Sequence, residues 1–158
     1  MKTYFAYGSN LNEVRFKSRI KSAQFKSRAT LTGYRLVFEK PSLDGSGKAT
    51  IIPDPNSSVE GAIFTYSDEE HDALKQCEGG YSETPVTLAT DAGPFQAETF
   101  VANKRVKTLK PFDWYVEHIV AGGQKLGLPA DYLAALAEAP TTKDMDAKRV
   151  ADERVFLK

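Results

Sequence analysis

Two short segments carry the residues best suited to chemistry. Near the start, Tyr4-Phe5-Ala6-Tyr7-Gly8-Ser9-Asn10-Leu11 runs from aromatic residues into a glycine turn followed by polar ones. Near the middle, Cys77-Glu78-Gly79-Gly80-Tyr81 sets one carboxylate between a helix and a pair of glycines. A strand that ends in a glycine turn exposes backbone N–H groups, a cradle for an anion or a polarised carbonyl. A carboxylate just past a helix C-terminus and beside an aromatic residue is disfavoured in its ionised form by the helix dipole and by desolvation, so its pKa rises toward that of a working base. Together the segments predict an anion cradle facing an acid/base residue, Glu78.

Other chemistries are less well supplied. A Cys/His hydrolase would need Cys77 paired with His71 or His118. Six residues apart on one helix, His71 and Cys77 point about 240° from each other, so that pairing fails. His118 remains open through the fold, but Cys77 reads first as a small buried apolar residue. One cysteine and two histidines build neither a disulfide framework nor a zinc cluster. The acidic run Asp68-Glu69-Glu70 with Asp72 reads as a solvated first helical turn rather than a metal site. No phosphate-loop or dinucleotide glycine spacing occurs, and the expectation is a protein with no metal and no cofactor.

Composition narrows the class further. The 158 residues are 41% hydrophobic and 11% aromatic, enough to fill one core, and the chain is expected to form a single domain over residues 1–158. Lysine plus arginine and aspartate plus glutamate each total 21, so no overall field recruits nucleic acid or an anionic membrane. No apolar run approaches the ~18 residues of a membrane span, and the start lacks a signal-peptide core. The expected setting is the cytoplasm, as a monomer or homodimer.

The elements that must position these residues read as follows. Thr3 to Tyr7 is a strand, in which Phe5 and Tyr7 share one face and Tyr4 takes the other. A short helix covers Asn12 to Arg19. Ala29 to Glu39 is a long strand bent at Gly33, followed by a loop from Pro41 to Gly47. Ala49 to Ile52 and Val59 to Tyr66 form two further strands around a Pro53-Asp54-Pro55-Asn56 turn. Ser67 and Glu70 have capping-box spacing at the start of a helix reaching Cys77, with Ala73, Leu74 and Cys77 on one face. Val86 to Thr90 and Phe95 to Val101 pair across Asp91-Ala92-Gly93-Pro94. Pro111 suits the first turn of a helix carrying Trp114, Tyr115, Ile119 and Val120, and a second helix follows Pro129. Residues 141–158 are charged and weakly patterned, a C-terminal helix or tail.

Four of these features, in order, resemble the γ-glutamylcyclotransferase family (AIG2-like): Tyr7-Gly8-Ser9-Asn10 after the first strand, Val59-Glu60-Gly61-Ala62-Ile63-Phe64 before a helix, Glu78-Gly79 after it, and Tyr115 followed by Gly122-Gly123-Gln124-Lys125-Leu126-Gly127-Leu128-Pro129-Ala130-Asp131-Tyr132. The resemblance implies an α+β fold, a small mixed β-barrel with flanking helices. It also implies an enzyme that converts a γ-glutamyl amino acid or γ-glutamyl amine to 5-oxoproline and the freed amine. In such a reaction the substrate's own α-amine attacks its γ-carbonyl, so the protein supplies a bent substrate conformation, a base and an oxyanion site, and no nucleophilic serine or cysteine is needed.

Carried onto this chain, the resemblance makes Glu78 the general base, Tyr4, Phe5, Ala6, Tyr7, Gly8, Ser9 and Asn10 the wall and floor of the substrate pocket, and Tyr115 a substrate contact. Without it, Glu78 reads first as a solvated cap carboxylate and Tyr115 as core cover. Asn10 favours the amino-acid branch, because the amine-specific branch carries Tyr-Gly-Thr-Leu and the glutathione-specific branch Tyr-Gly-Ser-Leu. A non-catalytic binding or regulatory protein with the same pocket, and a hydrolase releasing glutamate, remain as alternatives.

Overall fold

The computed structural model describes residues 1–158. Five strands, β1 (Lys2–Ala6), β2 (Gln24–Pro41), β3 (Gly47–Tyr66), β4 (Tyr81–Thr90) and β5 (Gly93–Ala102), close into a barrel in the order β1-β3-β2-β4-β5. Closure comes from β1, which pairs antiparallel with β3 and parallel with β5, so the barrel is mixed. Five helices surround it: α1 (Glu13–Arg19), α2 (His71–Cys77), α3 (Asp113–Leu126), α4 (Ala130–Ala137) and α5 (Ala147–Arg154). Tight 3-10 turns cover Ser9–Leu11, Asp68–Glu70 and Val155–Leu157. No helix is long and apolar enough to cross a membrane.

The β2–β3 hairpin dominates the sheet and corrects one expectation. Residues 49–52 and 59–66 belong to a single strand, because both stretches pair with β2: Leu31 faces Val59, and Tyr34 faces Pro53. Residues 54–57 bow out opposite Gly33, whose φ of 87° marks the left-handed backbone that glycine tolerates. The segment read as a turn is thus a wide bulge within one strand. Asp54 closes it, accepting from the Asn56 N–H at 3.0 Å and the Ser57 hydroxyl at 2.7 Å.

Two helix starts also differ from expectation. Ser67 caps the Asp68–Glu70 turn that leads into α2, accepting weakly from the Glu69 N–H at 3.4 Å, but Glu70 does not reach back to it. The Glu70 carboxylate instead accepts the backbone N–H groups of Lys21 and Ser22, both at 2.9 Å, and the Ser22 hydroxyl receives the Ser67 N–H at 2.8 Å. The capping box is completed through a neighbouring chain segment. At α3 the cap is Phe112, leaving Pro111 one residue outside the helix.

On α2 only Leu74 is buried; Ala73 and Cys77 face solvent. A seven-residue helix laid on a barrel covers it with a single row of side chains. Residues 141–158 hold α5, which Asp146 caps by accepting the Arg149 N–H at 3.1 Å. Asp144, held well below the usual carboxylate range chiefly by Arg149, receives the Trp114 indole N–H at 3.0 Å and ties this segment to α3.

Helix α3 lies directly on the Ser9–Leu11 turn. A side chain at Gly122 would overlap the Leu11 carbonyl and the Asn12 nitrogen, so glycine there lets helix and turn meet backbone to backbone. The Gly122-Gly123 pair in the sequence therefore has a packing purpose, and it fixes the height of the loop that follows β1.

Candidate active site

At one end of the barrel, Tyr4, Tyr7, Gly8, Ser9, Asn10, Ala49, Glu78, Tyr81, Phe100 and Tyr115 line a small cavity. They come from β1, the loop and turn that follow it, β3, the end of α2, β4, β5 and α3. Tyr4 projects from β1, where it pairs with Phe64, and its ring is held edge-on by Phe16 and Phe100 at centroid distances of 5.4 and 5.8 Å. Tyr7 lies one residue past the last β1 pairing, Ala6 with Ala62, so strand alternation no longer governs it. Tyr4 and Tyr7 consequently face the same cavity, contrary to the period-2 expectation, and the Tyr7 hydroxyl donates to the Phe100 carbonyl.

Phe5 and Ala6 do not line the cavity. Phe5 is fully buried against Gly61, and its carbonyl accepts the Thr99 hydroxyl at 2.8 Å. Ala6 is likewise sealed in the core, where its carbonyl backs Gly61. Phe5 leaves by the face opposite Tyr4, as alternation in a paired strand requires, and supports the wall from behind; Ala6 shares the Tyr4 face, but its short methyl stays sealed in the core.

Glu78 is the C-cap of α2. Its N–H donates to the Leu74 and Lys75 carbonyls at 3.0 and 3.2 Å, and its own carbonyl accepts the Tyr81 N–H at 3.1 Å. Those bonds fix the backbone on both sides and aim the half-buried side chain inward. There, Asn10 Nδ2 donates to Glu78 Oε1 at 3.0 Å and to the Tyr4 hydroxyl oxygen at 3.1 Å, and the Tyr4 hydroxyl approaches Glu78 Oε1 at 3.4 Å. Burial raises the Glu78 pKa above the ordinary carboxylate value; Arg19, the Tyr4 hydroxyl, Arg15 and Lys40 oppose the rise. Burial, not the helix dipole, is the dominant cause.

The remaining polar groups are tyrosines. Burial raises the pKa of Tyr4 and Tyr7, with the Glu78 charge adding to both, and pushes Tyr115 up to about 12. Each hydroxyl stays protonated at neutral pH. Tyr115 accepts the Ala49 N–H at 3.0 Å while the Tyr81 hydroxyl donates to the Ala49 carbonyl at 2.7 Å, so β3 is held to both walls at one residue. The cavity thus contains one readily titrated carboxylate among neutral hydroxyls.

In the loop that lines the same cavity, the Gly8 N–H has no acceptor in the protein, and the first-turn N–H groups of Ser9 and Asn10 have no partner within their own short turn. The φ of Gly8 is −106°, so its value lies in space, not in a left-handed backbone: a Cβ there would stand 3.4 Å from both the Tyr115 hydroxyl and the Ala49 methyl.

Behind this loop is a buried polar network that sequence reading missed. Asn12 caps α1 and donates through Nδ2 to His118 Nδ1 and to the Phe156 carbonyl, both at 3.0 Å. With Nδ1 thereby an acceptor, His118 carries its proton on Nε2 and donates it to Glu153 at 2.9 Å. Burial lowers the His118 pKa, in keeping with that neutral ring. Arg15 donates through Nε and Nη2 to the same Glu153 carboxylate and through Nη1 to the Ser9 hydroxyl at 2.9 Å. Only the Asn12 cap left a local signal in the sequence; nothing near Arg15 or Glu153 pairs them.

The Cys/His alternative finds no support in this geometry. Cys77 is exposed rather than buried, His71 is engaged by Tyr66 at 2.7 Å and Glu83 at 3.1 Å, and both His118 nitrogens are occupied as described. No group of three or more histidine, cysteine, aspartate or glutamate side chains is arranged to hold a metal ion.

A family described as "Gamma-glutamyl cyclotransferase, AIG2-like" matches residues 4–116. That stretch contains every residue of the cavity. The chain belongs to this family. Among individual proteins, it is 31% identical over 138 residues to the γ-glutamylcyclotransferase of Bos taurus, an alignment covering 82% of this chain and 73% of the relative. The Homo sapiens γ-glutamylcyclotransferase is 28% identical over the same shares. A solved structure named as a γ-glutamyl cyclotransferase superposes with a TM-score of 0.89 at 25% identity, covering 99% of this chain and 98% of that one. The mixed barrel with flanking helices expected from the resemblance is therefore the fold of this member of the family. Glu153, on α5, lies outside the stretch that the family match spans.

Proposed function

We propose that the protein is a γ-glutamylcyclotransferase, converting a γ-glutamyl amino acid or amine to 5-oxoproline and the free amine, and that Glu78 is its base. The observation that carries this reading is a single raised-pKa carboxylate, oriented by Asn10 and Tyr4, inside a cavity that also holds unpaired backbone donors. Family membership and similarity to proteins of that name support it.

The chemistry follows from those groups. The substrate's α-ammonium loses a proton to the Glu78 carboxylate, and the freed amine attacks the γ-carbonyl carbon. A C–N bond closes the five-membered ring while the carbonyl oxygen gains negative charge. Backbone N–H groups at Gly8 to Asn10, with the neutral tyrosine hydroxyls, are the donors positioned to receive that charge or the substrate's α-carboxylate. The tetrahedral centre then expels the leaving nitrogen, which takes the proton from Glu78, and the second proton of the new ring nitrogen passes through the regenerated carboxylate to the departing amine, which leaves as an ammonium. Because the nucleophile belongs to the substrate, holding it bent against its own carbonyl supplies much of the rate, and intramolecular reactions of this kind gain up to roughly 7–11 kcal/mol.

The direct test is incubation with γ-glutamyl-alanine followed by quantification of 5-oxoproline and glutamate. Release of 5-oxoproline is the expected result. Glutamate in its place would make the protein a hydrolase, and neither product would leave a binding protein.

A further inference from the structure

Outward from Glu78 the cavity opens into a polar vestibule whose walls include Arg15, Arg19, Lys40 and Lys48. Two of these cations are compensated: Arg15 by Glu153 at 2.9 Å, and Lys48 by Asp44 at 2.9 Å. Arg19 and Lys40 enter no ion pair. Arg19 ends α1 with its side chain exposed, and Lys40 sits on β2 with its ammonium 5.1 Å from the centre of the Tyr81 ring, beside the Gly80 turn. Both act on the Glu78 carboxylate, Arg19 most strongly of all the surrounding cations.

This arrangement bears on the part of the substrate that leaves. It rests on the cyclotransferase reading, in which Glu78 returns a proton to the leaving nitrogen. That nitrogen must then lie at Glu78, with its substituent extending into the open vestibule, because the inner cavity is closed by Tyr4, Tyr7 and Phe100. An amino acid carries its carboxylate two bonds from that nitrogen. We infer that Arg19 and Lys40 form a subsite for an anionic leaving group, and that the cation-lined mouth rejects leaving amines that carry a second positive charge.

The physical case is one of spare charge. An uncompensated guanidinium and ammonium at the rim of a partly closed cleft attract a carboxylate through charge-assisted hydrogen bonds, and they repel a polyamine chain over a Debye length of about 8–10 Å at moderate salt. Arg15 and Lys48, already paired, frame the mouth without adding comparable attraction. The Lys40 ammonium sits over the face of Tyr81, another residue of the vestibule wall, which holds the charge at the mouth without neutralising it.

Four substrates with the same γ-glutamyl head test the inference: γ-glutamyl-glutamate, γ-glutamyl-alanine, γ-glutamyl-alaninamide and γ-glutamyl-putrescine. The expected order of kcat/KM follows that sequence, from most to least negative leaving group, with alanine ahead of its amide by roughly tenfold and the spread narrowing as salt is raised. Arg19→Gln and Lys40→Gln should each shrink the alanine-to-alaninamide ratio, a comparison within one variant that cancels any general loss of activity. The double charge reversal, Arg19→Glu with Lys40→Glu, should raise the putrescine substrate relative to alanine. Equal kcat/KM across all four substrates, or a ratio that none of the variants moves, overturns the subsite alone. Release of 5-oxoproline from none of them overturns the cyclotransferase reading and the subsite with it.

Discussion

Arg15 on α1 and Glu153 on α5, 138 residues apart in the chain, form a two-point ion pair at 2.9 and 3.2 Å, and the free end of the same guanidinium holds Ser9 in the cavity loop. The last helix of the protein is thereby mechanically connected to the first loop of the site. Arg15 and His118 hold Glu153 at a pKa of about 2, against the desolvation that burial alone would impose. A carboxylate whose folded pKa lies below its unfolded value adds stability above the unfolded pKa and loses it as pH falls.

Glu153→Ala should therefore cost about 3–5 kcal/mol, because it strands a buried guanidinium, and Glu153→Gln less. The wild type should lose the difference as pH drops from about 4.5 toward 2. Urea denaturation of wild type and both variants between pH 7 and pH 3 measures this. A gap between wild type and Glu153→Gln that stays constant with pH would show that the carboxylate's charge is not what holds α5. In the folded variants KM should rise as Ser9 loosens.

Glu78→Gln should lower kcat by about 10²–10⁴-fold while 5-oxoproline still binds, since the amide keeps the shape and loses the base. The raised pKa supplies an internal folding control. A carboxylate whose folded pKa lies above its unfolded value costs stability once pH passes above both, so Glu78→Gln should be at least as stable as wild type at neutral pH. Retention of more than a tenth of the wild-type rate would remove Glu78 from the mechanism.

Gly8→Val should weaken substrate binding severely, and Gly8→Ala much less. The Cβ position has ordinary clearance at 3.4 Å, but the two γ-methyls of valine must press on the Tyr115 hydroxyl or the Ala49 methyl. Kinetics of the two variants, with near-ultraviolet circular dichroism to confirm folding, decide the matter. A well-folded Gly8→Val protein with wild-type kinetics would mean that nothing approaches the backbone there.

The acid limb of the kcat/KM profile should lie above the ordinary carboxylate range, with activity rising as Glu78 ionises. Tyr4 helps stabilise the ionised form, so Tyr4→Phe should shift that limb to still higher pH. A limb that moves down, or does not move, contradicts the assigned geometry.

Activity should survive dialysis against EDTA. Intramolecular attack, a positioned base and backbone donors account for the reaction without another group. Loss on chelation with recovery on adding a divalent ion would replace this mechanism with a metal-assisted one.

What the sequence determined by itself was local. The strand before Gly8, the turn after it, the helix ending at Cys77 and the placing of Glu78 at its end all depend on near-neighbour sterics, caps and alternation, and these were legible. Alternation misassigned Tyr7 because it holds only where a strand is paired, and pairing ends at Ala6. The Pro53-Asp54-Pro55-Asn56 stretch misled because a bulge and a turn share the same proline and aspartate chemistry; only the common partner strand β2 tells them apart. The tertiary structure decided everything that joins distant segments: Asn10 to Glu78, Ala49 to Tyr81 and Tyr115, Arg15 to Glu153, and the cations around the mouth. A lone arginine or asparagine has no periodicity to betray it. Its partner is chosen by how the barrel closes and where the helices come to rest, and that is a property of the whole chain.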